Sequence, residues 1–169
     1  MFEIMELIWM LPVIFIIHDM EEIIFAKTWI DKSKHLFENK KIKPFGEFIS
    51  TESFSVAVLE ELIIVTGVTL YSSLTHNYIV WWAMSFVVVV HFVPHIVSII
   101  IFKGFVPGVC TSFILLPIGV YMLVESLSLF EYTVQGLIIS SIIVTVIFLV
   151  NLKWLHKMMP LFDKVINKI

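Results

Sequence analysis

An all-helical membrane bundle of about five spans is the fold class the sequence predicts, and three observations carry it. The chain is 59% hydrophobic, has a mean hydropathy of +1.00 and carries only 15% charged residues, too few to coat a globule in water. Its apolar residues gather into stretches of about twenty, the helical length that crosses a hydrocarbon core of about 30 Å. There is no arginine, and the eleven lysines fall only in certain connectors, the asymmetry that orients a polytopic protein.

The first span runs from about Glu6 to Lys27. The N-terminus lacks the basic region and small-residue cleavage site of a signal peptide, so this stretch is expected to stay as a helix. A lysine-rich connector leads to the second span, from about Ser53 to Tyr71. The third runs from Tyr78 to Phe102, the fourth from Pro107 to Leu129 and the fifth from Thr133 to Leu152, joined by short polar connectors. The polar tail, 153–169, is expected to lie on the membrane as an amphipathic helix, and the whole of 1–169 reads as a single domain. Lys27, Lys32, Lys34, Lys40, Lys41 and Lys43 lie in the first connector, Lys103 in the third, and Lys153, Lys157, Lys164 and Lys168 in the tail. Five spans put all of them on one side, which predicts an N-terminus outside, a cytoplasmic C-terminus and a multi-pass protein of the cytoplasmic membrane. Trp9, Trp81 and Trp82 near one face and Trp29 and Trp154 near the other read as an aromatic belt.

A net charge of −3 offers no basic surface for nucleic acid. The lone Cys110 rules out an internal disulfide and a paired-thiolate metal site.

The informative residues are the ionisable ones within the spans, where a charged group costs about 2.5–3.5 kcal/mol at the helix centre and usually marks a function. Span one carries "IIHDMEEII", with His18, Asp19, Glu21 and Glu22. Span two carries Glu60 and Glu61, and span three carries His91 and His95 on either side of Pro94. Counted from the span ends, these groups fall in one layer roughly 7–17 Å below the cytoplasmic surface. Positions three or four apart share a helix face, so His18, Glu21 and Glu22 project together, as do His91 and His95, whereas Asp19 points about 100° away.

Imidazole and carboxylate groups offered from facing helices are how bundles build metal centres. His18, Glu21, Glu22, Glu60, Glu61, His91 and His95 are therefore candidate metal ligands. Glu60 or Glu61 is the candidate bridging ligand or general base, hence the candidate catalytic residue. The inventory suits two divalent transition-metal ions, with iron favoured and zinc or manganese as alternatives. A bound cation would also offset the buried negative charge.

The stretch "HDMEE", with His18, Glu21 and Glu22 inside the first span, resembles the HXXEE family of small bacterial membrane proteins. The resemblance implies a small all-helical membrane domain with no established activity, and it concentrates attention on those three residues. The function expected from the residues is an intramembrane metal-dependent enzyme acting on a lipid or other hydrophobic substrate, by oxidation (hydroxylation or desaturation) or by hydrolysis. Two other classes stay open at this point: a transporter or proton- or cation-binding protein using the same polar layer, and a non-catalytic membrane interaction or immunity-type protein. An oligomer is compatible with each.

Overall fold

The computed structural model describes residues 4–37, 45 and 50–168, and among them the regular structure is entirely helical. Five helices follow one another: α1 (Ile4–Phe37), α2 (Thr51–Thr75), α3 (Ile79–Phe102), α4 (Val109–Leu129) and α5 (Val134–Ile166). The four helices α2 to α5 are long and apolar enough to cross a membrane. α1 is longer than any of them but interrupts its apolar run with Asp19, Glu21 and Glu22. Lys40, Lys41 and Lys43, counted above for orientation, lie outside the described residues.

The outer helices extend well past the stretches expected to span. At about 1.5 Å per residue, the 34 residues of α1 reach about 51 Å, far beyond a 30 Å core. Its last turns are accordingly charged and exposed. There Asp31 pairs with Lys27 and Lys34, whose hydrogen bonds hold its carboxyl below the usual range. The C-terminal tail does not form a separate helix on the surface. It continues α5 without a break, because Leu155 and Met159 bury themselves in the core at helical spacing.

α3 is the hub, packing against all four other helices, while α1 packs against α2, α4 and α3, and α2 against α5. The core follows from this arrangement: Leu7, Ile8 and Leu11 of α1 meet Trp81, Val88 and Phe92 of α3 and Met122 of α4. Gly119 of α4 lets that helix lie close to α3, since a Cβ there would come within 2.5 Å of Val89 Cγ2. The tryptophans divide between two roles. Trp9 and Trp154 are exposed, as membrane-face anchors would be. Trp81 is fully buried and donates to Ile8 O at 2.9 Å, and Trp29 donates to Phe105 O at 2.6 Å, so these two tie the bundle together instead.

Helix ends are satisfied locally. Ser50 forms a capping box with Ser53 at the start of α2 and donates to Asp163 Oδ1 at 2.6 Å, tying that end to α5. α3 stops at Lys103, and α4 begins after Gly108, both in the left-handed region. The start of α4 has no cap from its own N-cap residue, and its exposed N–H groups are the first clue to the site.

Candidate metal centre

Those amides are capped by a residue from another helix. Glu21 of α1 accepts from Cys110 N at 3.2 Å and Thr111 N at 2.7 Å, and from Thr111 Oγ1 at 2.6 Å. A carboxylate at a helix N-terminus gains from both the unpaired N–H groups and the helix dipole. Glu21 therefore docks α4 onto α1, and its neighbour Glu22, about 100° further round, turns to α3.

Glu22 joins His18, His91 and His95 in a buried group. One ligand atom from each of the four lies within 4.8 Å of all the others. Glu22 Oε1 is 3.0 Å from His95 Nε2 and 3.7 Å from His18 Nε2, and His95 Nε2 is 3.0 Å from His91 Nε2. Metal–nitrogen bonds of about 2.0–2.1 Å in a tetrahedron place neighbouring ligand atoms about 3.3 Å apart, which these distances bracket.

The outer nitrogens show where the lone pairs point. His95 Nδ1 lies 3.1 Å from Pro107 O; a carbonyl only accepts, so Nδ1 carries the proton and Nε2 of the neutral ring is left as an acceptor. The Thr111 hydroxyl proton is committed to Glu21, so His18 Nδ1, 3.0 Å away, donates to Thr111 Oγ1 and again leaves Nε2 bare. His18 Nε2 and Glu22 Oε1 are indeed buried with no hydrogen-bond partner. Lone pairs brought face to face in a buried site repel unless a proton or a metal cation lies between them. Outer hydrogen bonds that fix the tautomer in this way are the usual support of metal-bound histidine.

Gly108 completes the wall. With φ +87°, it stands so close that a Cβ would fall 2.6 Å from His95 Nδ1 and 2.8 Å from Glu22 Oε1. Only glycine meets both the backbone angle and the approach.

The cluster forms part of the wall of an apolar cavity of about 310 Å³, bounded also by Phe15, Phe54, Val58, Val88, Phe148 and Leu155. Asp19 and Glu61 line it too, and both are buried. Glu61 Oε1 has no hydrogen-bond partner. Glu60 is directed elsewhere, accepting from Asn151 Nδ2 of α5 at 3.0 Å.

Of the seven residues singled out in the sequence, the structure gathers His18, Glu22, His91 and His95 into the group. It sets Glu61 in the same cavity and engages Glu21 and Glu60 in bonds between helices. Sequence reasoning passed over Thr111, Pro107 and Gly108. The signal for them was the Pro-Gly break before span four, since a helix start there needs an acceptor for its N–H groups. Asp19 was set aside for pointing 100° from His18, yet it stands four residues after Phe15 and three before Glu22, on the face that lines the cavity with them.

A family model described as "Protein of unknown function with HXXEE motif" matches residues 9–122, a stretch that contains all four residues of the group. No curated protein and no solved structure matches the chain.

Proposed function

The chain belongs to the HXXEE family, and from that premise and the geometry of its motif we propose that it is an intramembrane metal-dependent enzyme acting on a lipid or other hydrophobic substrate. The observation that carries this reading is the convergence of ligand atoms from His18, Glu22, His91 and His95 at metal-ligand spacing on the wall of an apolar cavity, two of them, His18 Nε2 and Glu22 Oε1, buried without a hydrogen-bond partner. Five spans cross the membrane, with the N-terminus outside and the lysine-bearing ends on the cytoplasmic side.

We assign one ion where the sequence argued for two. The four groups can supply the protein ligands of one ion that would keep a further position open for water, dioxygen or substrate, and Glu21 and Glu60, needed for a second set, are committed to α4 amides and to Asn151. Three imidazoles and a carboxylate suit Fe²⁺, Mn²⁺ or Zn²⁺, and iron is favoured on ligand type, since histidine with carboxylate recurs in iron-binding helical bundles. Iron would supply dioxygen activation for hydroxylation or desaturation; zinc would supply a water of lowered pKa for hydrolysis. The chain's own part is to orient the ligands through Thr111 and Pro107, to exclude water, and to offer Glu61 as the carboxylate that takes up or delivers a proton beside the substrate.

Metal analysis of the detergent-purified protein tests the assignment. About one transition-metal ion per chain is expected, lost in Glu22→Gln and His95→Ala and kept in Glu21→Gln. A folded wild type that binds no Fe²⁺, Mn²⁺ or Zn²⁺ on reconstitution would sink it.

A further inference from the structure

The cavity also bears on what occupies it, taking the metal reading as given. Its volume of about 310 Å³, at roughly 30 Å³ for a group the size of water, holds on the order of ten methylenes, which is one alkyl chain and not two. Apart from Phe45, every lining residue with some exposure belongs to α3 or α5, among them Pro94, Ser98, Ile101, Leu152 and His156. The mouth therefore opens sideways between these two helices, toward lipid.

Depth can be measured along α5. The Phe148 and His91 rings lie 6.4 Å apart, so Phe148 marks the level of the ligands. His156 lines the same cavity eight residues further on, about 12 Å along the axis. Beyond that end, next to the lining residues and outside the lining itself, lie cationic side chains. Lys153 and Lys157 are exposed, one residue round the helix from Leu152 and His156, on the side away from Asn151, which Glu60 of α2 holds. The exposed Lys103 ends α3 nearby in sequence to Ile101 and Phe102, which line the cavity.

We propose that the cavity takes a single fatty carboxylate, its head on His156, Lys153 and Lys157, and about ten carbons of its chain running inward past His91 and His95. An extended chain advances about 1.2 Å per bond, so carbons about ten bonds from the head lie beside the ligands. The group met by the centre is then a chain methylene and not the head. An uncharged chain would gain nothing from the neighbouring lysines, and the two chains of a phospholipid together exceed the volume.

Photolabelling of the full-length protein in detergent tests this without reference to turnover. Two fatty acid probes are needed, one with a diazirine beside the carboxylate and one with it about ten carbons along. The first is expected to label the segment from Leu152 to His156, and the second the segment from Val88 to Ser98 and the neighbourhood of Phe148. Replacing the exposed Lys153 and Lys157 together with alanine should cut mid-chain labelling about tenfold, as should competition with the fatty acid but not with the alcohol of equal chain length. The inference is overturned if the mid-chain probe marks the outward residues Ile142, Val146 and Ile147, or if the alcohol or a two-chain phosphatidic acid competes as well as the acid. A lysophosphatidate competing better than the acid would overturn the carboxylate. Metal content measured on the same samples separates the two readings. The expected pattern in metal-free protein upholds the chain and removes the ion, and metal-loaded protein without that pattern does the reverse.

Discussion

Gly108→Ala concentrates the argument for the metal centre in one methyl group. The added Cβ would meet His95 Nδ1 at 2.6 Å, His95 Cε1 at 2.9 Å and Glu22 Oε1 at 2.8 Å, contacts that real Cβ atoms do not sustain. None of these groups has slack: His95 is held by Pro107 O at 3.1 Å, and Glu22 is buried. The alanine must also adopt φ +87°, which costs about 1–2 kcal/mol. Relief requires the imidazole to leave Pro107, and loss of such an orienting bond typically lowers metal affinity 10–100-fold. The assay is competitive metal titration of the purified variant, read beside its thermal unfolding. Gly67→Ala is the control, because nothing lies within 4 Å of its Cβ position and alanine there should leave affinity unchanged. A Gly108→Ala protein that binds metal as tightly as the wild type would refute the close approach, and with it the placement of Glu22 and His95 around an ion.

Further predictions separate the roles of neighbouring residues. Glu21→Gln should retain metal yet lower stability by about 1–2 kcal/mol, seen as a reduced unfolding temperature, because it loses the charge that caps α4. Thr111→Val removes the acceptor of His18 Nδ1 and should weaken metal binding about 10–100-fold without abolishing it, as measured by chelator competition. Glu61→Gln should leave metal occupancy intact and slow turnover at least 100-fold once a substrate is in hand, the usual scale for losing a positioned proton carrier. Glu60→Gln, bonded to Asn151, should alter turnover little, and equal losses in both variants would contradict the division of labour between them.

Much of this was legible along the chain. Apolar runs of helical length marked the helices, since their length and composition are local properties. Pairing at i, i+4 put His18 with Glu22 and His91 with His95, because residues at that spacing share a face in any helix. The tail is where local reasoning stopped short. Its polar residues read as a surface helix, and only the bundle reveals that Leu155 and Met159 have a core to enter.

The sequence by itself predicted that histidines and carboxylates of three helices would meet at one level, because burying such groups singly is too costly for three helices to do so independently. The tertiary structure decided what each carboxylate does. Glu21 and Glu22 are adjacent, as are Glu60 and Glu61, and adjacent helix positions diverge by about 100°. Which direction meets a histidine, a helix N-terminus or an amide depends on the neighbours that packing supplies. Thr111 stands 90 residues from Glu21 in the chain and 2.6 Å from it in space, and no periodicity in the sequence encodes that separation.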